Sequence, residues 1–255
     1  CYHNPDFDHI AVKENALAIV RDDLRRKVQR GVVATGAMSD PYNPLERKLR
    51  LTRHALELLS AYGFGVAVDT KSDLVSRDAD VLSEIAAQMP ALVKFSITTA
   101  DPALAARLEP GAPSPERRFA AMEQLAKAGV FTGLLLMPVL PGLTDNRENL
   151  SRLLRQTAEA GGRFCYCWPG LTMREGQREY FYQALDREFP GLREKYEKRY
   201  GVRYRCTVPG AAKLYAWVRE ECSRLGLLSE MEAIIAVSRQ GYDFGGLPGQ
   251  ASLFS

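Results

Sequence analysis

Apolar residues return along this chain in two alternating rhythms. Over residues 14–30, Leu17, Val20, Leu24 and Val28 recur every three or four positions, which marks one face of a helix. Residues 32–35 then form a short apolar strand that breaks at Gly36. Helical spacing resumes over 44–62 with Leu45, Leu49, Ala55, Leu58 and Leu59, and Gly63 terminates it. The alternation continues with strands over 64–69, 91–98, 130–139 and 163–168, separated by helices over 78–88, 102–108, 114–128 and 145–160. The strand over 130–139 is almost wholly apolar, as expected when both faces are buried.

A strand–helix unit therefore repeats about every 30 residues, the length of a βα unit. Right-handed succession of such units curls a parallel sheet toward a barrel. The expectation is an α/β fold: an incomplete TIM-like (β/α)6 barrel over 1–170, with a helical C-terminal extension over 171–255 packed on it. A first strand is expected upstream of Cys1. Past Met173 the alternation lapses into helices over 174–189, 191–200, 211–225 and 229–239. The Gly- and Pro-rich tail 241–255 is expected to be loosely ordered.

Length and charge narrow this only slightly. A chain of 255 residues can bury a substantial core, and its net charge of +3 is too small to argue for nucleic acid by itself. No apolar run reaches the roughly 18 residues that span a bilayer. No signal-peptide pattern is present, so a cytoplasmic setting without membrane contact is expected. The cysteines Cys1, Cys165, Cys167, Cys206 and Cys222 make no even-numbered framework, which fits a reducing compartment. A cysteine stands where an initiating methionine would, and the expectation is that the sequence starts partway into a longer protein.

Parallel α/β folds build their sites where strands end, and the strand ends here are polar. One unit supplies Thr35, Ser39 and Asp40, the next Thr70, Lys71 and Ser72. In a third, Lys94, Ser96 and Thr98 alternate onto one face. Such a ring suits a polar ligand, although serine and threonine can equally bond loop backbone. Asp40 either meets the ligand or, like Asn43, caps the following helix. Arg118, one turn into its helix, either forks onto a carboxylate or phosphate or stands solvated beside Glu116 and Arg117. Cys165 and Cys167 share a strand face with no second pair at ligand spacing, and read as buried, inert thiols. His54 reads as a surface residue. Between 187 and 205 basic residues interleave with Phe189, Tyr196, Tyr200 and Tyr204. That pattern fits an amphipathic helix with inward aromatics, and less well a nucleic-acid surface. A Gly-rich phosphate loop, HExxH and GxSxG are all missing, against NTPase, zinc-protease and α/β-hydrolase chemistry.

The stretches SDPYNPLERKLRLTR, TKSDLVSRDADVL, SITTAD, LEPGAPSPERRFAAMEQLAKAG, MPVLPGLTD and REYFYQAL closely resemble radical SAM proteins of the spore photoproduct lyase-like group, often labelled "DNA repair photolyase". The match runs from about Cys1 to Tyr200, and its order is more specific than any one piece. The resemblance implies a 4Fe-4S cluster held by a CxxxCxxC motif, with Cys1 as its third cysteine, and S-adenosyl-L-methionine on the remaining iron. It places Thr35, Ser39 and Asp40 near the methionine amino group, and Lys71 and Arg118 at the methionine carboxylate. Ser96 falls near the ribose or sulfonium, with Thr98 on the same strand-end ring, and Met137 and Pro138 flank the adenine. The implied reaction is reductive cleavage to a 5′-deoxyadenosyl radical, with electrons from a flavodoxin- or ferredoxin-like reductant and nucleic acid as a substrate by analogy. Met38 stands where the lyases carry a hydrogen-donating cysteine, so repair of a thymine dimer by that route is doubtful. Tyr42 and Tyr166 are alternative donors.

Three functions follow for comparison. The first is the radical SAM enzyme. The second is a non-catalytic barrel that binds nucleic acid through 187–205. The third is a cluster-free barrel enzyme acting on a phosphorylated metabolite.

Overall fold

The computed structural model describes residues 12–27, 29–174 and 176–245. Helix α1 (Ala16–Arg25) leads into β1 (Val32–Thr35). The single helix expected over 44–62 is in fact two. Helices α2 (Glu46–Leu49) and α3 (Leu51–Ala61) meet at Arg50, whose φ of 53° leaves the helical path. Glu46 stabilises this break: its buried carboxylate accepts the Thr52 N–H at 3.0 Å and the Arg53 N–H at 3.3 Å, capping α3 from the helix before it. The apolar spacing continues through the break, which is why the pattern alone conceals it.

Strand β2 (Gly65–Thr70) comes next. It is followed by a 3₁₀ turn (Asp73–Asp78), α4 (Ala79–Ala86), β3 (Ala91–Ser96), α5 (Pro102–Leu108), α6 (Pro115–Lys127), β4 (Phe131–Leu136), α7 (Arg147–Glu159) and β5 (Phe164–Cys167). Strands β3 and β4 stop short of their expected ends, because Thr98 and Met137 belong to the rim loops beyond them. The five strands are parallel in the sequential order β1-β2-β3-β4-β5. A doubly wound sheet reverses its order at a switch point, whereas this one never does, as in a partial TIM-like barrel.

Strand periodicity divides the sheet into two faces. Val66, Val68, Val93, Phe95, Leu134, Leu136, Cys165 and Cys167 pack under the helices with Leu56, Leu82, Ile85, Met122, Leu125, Leu153 and Val218. The opposite face lines the lumen. There the register aligns Asp69, Lys94, Gly133 and Phe164 in one row, with Ser96, Leu135 and Tyr166 in the row nearer the rim. Lys94 Nζ lies 2.5 Å from Asp69 Oδ1, so the charge in the lumen is paired. Phe164 stacks on Phe131 with centroids 5.3 Å apart and covers Gly133.

Beyond β5 come β6 (Gly170–Thr172), α8 (Gln177–Glu188), α9 (Leu192–Tyr200), β7 (Arg205–Thr207), α10 (Ala211–Arg224) and α11 (Met231–Arg239). Strands β6 and β7 pair antiparallel and add a two-stranded sheet to the helical extension; each is too short to show an alternating pattern. A second core gathers Leu140, Leu171, Met173, Tyr182, Leu185, Tyr196, Tyr200 and Cys206. The chain at Leu228 bridges to Phe164 and takes the Cys165 N–H at 2.8 Å, covering the β5 edge. The expected loose tail is pinned at its start, where the Tyr242 hydroxyl donates to the Ala86 carbonyl at 2.7 Å and Phe244 packs on the main core. Residues 246–255 lie outside the described residues. No described helix is long and apolar enough to cross a membrane.

A Cβ added at Gly133 would sit 2.5 Å from the Phe164 carbonyl oxygen and 2.6 Å from its ring. Gly133→Ala should therefore cost about 1–3 kcal/mol through overpacking. The expected signature is a lower urea midpoint with an unchanged slope. An unchanged midpoint would show that Phe164 does not fill this row.

Candidate functional site

The loop after β1 is fixed by one carboxylate. Gly36 turns there with a φ of 98°, and a Cβ would meet the Asp69 carbonyl oxygen at 2.0 Å, so only glycine fits. Asp40 then reaches across to β2. Its Oδ1 accepts the Thr70 hydroxyl at 2.7 Å and the Tyr42 N–H at 2.9 Å, and its Oδ2 accepts the Lys71 N–H at 2.7 Å. Asp40 is therefore neither a helix cap nor a free ligand group, because its lone pairs hold the backbone that carries Lys71. Behind it, buried Asp78 accepts from Tyr42, Arg53 and Arg77, and Arg77 also bonds Glu46 at 2.9 Å. Burial, then the neighbouring Asp78 carboxylate, push the Tyr42 phenol far above its usual range. Tyr42 is thus locked under the helices, away from the lumen. Tyr166, in the rim-side lumen row, is half-buried.

The loop after β3 is held by buried Asn149. Its Nδ2 donates to the Thr98 and Thr144 carbonyls at 3.1 Å and 3.0 Å, and its Oδ1 accepts the Ala100 N–H at 2.9 Å. The Thr98 carbonyl is satisfied by this, while its buried hydroxyl has no partner among the described residues. Arg118 is 1% exposed; its Nε donates to the Pro113 carbonyl at 2.9 Å and its Nη1 to the Ser96 carbonyl at 2.7 Å. Glu109 Oε2 lies 2.7 Å from the same Nη1, close enough for an ion pair but off the line of a hydrogen bond. Lys71 Nζ is 3.8 Å from Glu109 Oε1 and partly open to solvent.

Beside these groups opens a cavity of about 640 Å³, within the range that holds a cofactor-sized ligand. Lys71, Thr98 and Glu109 line it together with Met137, Pro138, Leu140, Trp168, Leu171 and Phe181. Four of the expected cofactor-binding residues, Lys71, Thr98, Met137 and Pro138, thus meet in one hollow.

The others do not line it. Thr35 pairs with Val68 and shares the helix-facing side of the sheet, and Ser39 is exposed on the rim loop. Ser96 is buried one row below and offers its carbonyl to Arg118. The Arg118 guanidinium is buried rather than solvated, and its Nε and Nη1 are taken by protein acceptors. Cys1 lies outside the described residues.

Sequence reasoning passed over Glu109, Trp168 and Phe181. Trp168 directly follows β5, and the strand-end rule that found Lys71 would have found it too. Phe181 carries no local signal, since its place depends on α8 folding back over the rim. Tyr196 and Tyr200 are buried, bonding the Pro141 and Thr207 carbonyls at 2.8 Å and 2.7 Å, in keeping with the amphipathic reading of 187–205. Tyr204 departs from that reading and is exposed between Arg203 and Arg205. His54 is at the surface, 2.9 Å from Glu57.

A profile described as the Radical SAM superfamily matches residues 2–154. An uncharacterized protein of Mycobacterium tuberculosis is 36% identical over 197 residues, covering 76% of this chain and 58% of its own length. An uncharacterized protein of Methanocaldococcus jannaschii is 30% identical over 136 residues, covering 53% of this chain and 49% of its own. The chain thus spans less than two thirds of the length of these relatives. Among solved structures, a spore photoproduct lyase double mutant with bound AdoMet and dinucleoside spore photoproduct superposes with a TM-score of 0.63. It is 17% identical, and the match covers 84% of this chain and 64% of that one. At that identity the likeness speaks for the fold alone.

The described cysteines make no metal site: no group of three His, Cys, Asp or Glu among the described residues could hold an ion. Cys165, Cys167, Cys206 and Cys222 are all buried and free. A hydrogen bond to Cys222, then burial, raise the Cys165 thiol, and burial pushes Cys167 up to about 12. Thiols so far above neutral pH are poor nucleophiles. In Cys1→Ser protein at pH 8, none of the remaining thiols should react quickly with a chromogenic disulfide reagent, and all should react once the chain is unfolded. A fast-reacting thiol in the folded protein would show that these residues are accessible.

Proposed function

The chain belongs to the radical SAM superfamily, and from that premise we propose that it binds S-adenosylmethionine in the rim cavity, beside a 4Fe-4S cluster. The observation that carries this reading is the lining: a cation (Lys71), an anion (Glu109) and a buried hydroxyl (Thr98) without a partner among the described residues, in a mostly apolar hollow. Those groups fit an amino-acid-tailed nucleoside. Lys71 Nζ supplies a charge-assisted bond to the carboxylate. Thr98 Oγ1 takes the hydroxyl contact that the resemblance gave to Ser96, and Met137 and Pro138 offer an apolar edge to the adenine.

Arg118 acts as a positioning residue, holding Glu109 against the cavity, and Asp40 does the same for Lys71. Ser39 stays on the anchored rim loop, where the resemblance puts the methionine amino group. The cluster enters this reading through the family and Cys1 alone. When bound, the two cofactors supply one-electron, hydrogen-abstracting chemistry, with electrons from a flavodoxin- or ferredoxin-like reductant. Leu140, Leu171 and Phe181 keep water from the reacting end of the cavity.

A nucleic-acid substrate is supported by one observation, the exposed row Arg203-Tyr204-Arg205. Cations flanking a ring suit a single strand. The related lyase named above was solved with a dinucleoside photoproduct. Met38, exposed on the rim loop, has no S–H to return a hydrogen atom.

Anaerobic reconstitution of the natural full-length protein with iron and sulfide, followed by dithionite and S-adenosylmethionine, should yield 5′-deoxyadenosine. An intact cluster without that product would sink the proposal. In the same protein, Lys71→Ala should weaken S-adenosylmethionine binding roughly ten- to a hundredfold, the range for a lost charge-assisted bond. Equal affinity by equilibrium dialysis would remove Lys71 from the site.

A further inference from the structure

A second, smaller cavity of about 260 Å³ opens between α2, the 3₁₀ turn and α6, and it shares no lining residue with the rim cavity. Arg47, Asp73, Ser76, Arg77, Arg117 and Gln124 supply its polar surface. We propose that it is an anion site for a dianionic phosphoryl group, either free phosphate or the end of a phosphate monoester. Its occupant is independent of whatever fills the rim.

Three guanidiniums meet a single carboxylate in this lining, and they are committed to different degrees. Arg77 is nearly spent. Its Nε and Nη2 bond the Asp78 carboxylate at 2.7 Å and 2.8 Å, Nη2 also reaches Glu46 Oε1 at 2.9 Å, and Nη1 donates to the Glu46 carbonyl at 3.0 Å. An Nη1 hydrogen is left over. Arg117 turns its Nε to Asp73 Oδ2 at 2.8 Å and sets Nη2 beside the same oxygen, so its Nη1 has no partner among the described residues. The Arg47 side chain has none there at all. Planar, permanently charged N–H forks of this kind suit the oxygens of a phosphoryl group.

Asp73 decides how much charge the guest must carry. A guest has to share Arg117 with that carboxylate while being repelled by it. A monoanion, such as a phosphodiester, offers Arg117 no more than Asp73 already does. A phosphate monoester carries about −1.5 to −2 at neutral pH and offers more. Size sets the other limit. The volume of about 260 Å³ falls below the roughly 300–1,000 Å³ of drug-sized pockets, so a phosphoryl group and its nearest atoms enter rather than a whole cofactor. Leu74 is the one apolar side chain in the lining, so the rest of the guest stays outside.

Methyl phosphate and dimethyl phosphate are a matched pair, a dianion and a monoanion at pH 8. At constant ionic strength, methyl phosphate should bind the chain saturably in calorimetry, about tenfold or more tightly than dimethyl phosphate. Inorganic phosphate separates the two sources: weaker binding than methyl phosphate assigns the ester, tighter binding the free ion, and both keep the site. Arg47→Ala, at an exposed position, should weaken methyl phosphate about tenfold. Gln124→Glu, also exposed, adds a second carboxylate to the lining and should weaken it at least as much. Lys71→Ala, in the rim cavity, should leave it unchanged.

Binding that never saturates, equal affinity for the two esters, an affinity unmoved in both Arg47→Ala and Gln124→Glu, or its loss in Lys71→Ala would overturn the inference. So would displacement of methyl phosphate by a single-stranded oligonucleotide without terminal phosphates, which would make this surface a reader of nucleic-acid backbone. Selective methyl phosphate binding in a protein that binds no S-adenosylmethionine would count against the proposed function and leave the phosphoryl site standing.

Discussion

Everything at the rim depends on where Asp40 spends its lone pairs. A carboxylate accepting two backbone N–H groups and a hydroxyl is close to saturated, and each of those bonds crosses from the β1 loop to its own turn or to β2. The direct consequence is that Lys71 leaves the sheet at a fixed point with its ammonium over the cavity. Without that clasp the β1 loop, whose Gly36 already lies against the Asp69 carbonyl, would lose the side-chain bonds that tie it to the β2 end. A surface lysine is usually a mobile, solvated charge. This one starts from a fixed main-chain point, and Glu109 Oε1, 3.8 Å from its Nζ, draws the ammonium toward the cavity.

The clasp is backed by a denser set of charges under the helices. Asp78 is fully buried and accepts from two guanidiniums and a phenol, while Glu46 shares Arg77 and caps α3. Buried ions are expensive singly, and the arrangement holds because the acceptors are matched by donors. Much of the SDPYNPLERKLRLTR stretch is therefore scaffolding. Asp40, Tyr42, Glu46 and Arg53 fasten the loop to β2, to α3 and to the 3₁₀ turn, and none of the four lines the cavity. A motif that looks like a binding signature is here the mount for one.

That distinction marks the limit of what the sequence disclosed. The five parallel strands were legible because buried strands are continuous apolar runs and glycine punctuates the helices between them. The rim was legible because Lys71, Thr98 and Met137 each follow such a run. Arg118 was ambiguous for a physical reason: on a helix between Arg117 and Phe119, nothing local tells whether a guanidinium points to solvent, to ligand or to carbonyls of the neighbouring strand. Only the packing of α6 on β3 decides, and it sends Arg118 to the Ser96 carbonyl. Glu109 stayed hidden for the same reason, since its meaning comes from Arg118. Strands β6 and β7, three residues each, are below the length at which a period of two can be recognised.

The C-terminal region also changes what the cavity is. A parallel sheet that ends at β5 would leave its edge and the rim open to water. Leu228 covers the edge, and β6 and α8 add Leu171 and Phe181 to the lining of the cavity that holds Lys71. Leu140, Leu171 and Phe181 belong to or pack on the smaller core around Tyr182 and Tyr196, so the rim cavity is closed by that core and not by the main one under the sheet. The charged groups Lys71 and Glu109 come from the barrel, as do Met137, Pro138 and Trp168, and the extension supplies further apolar surface. A ligand there would be held by its charge at Lys71 and Glu109 and by its shape against the apolar side chains.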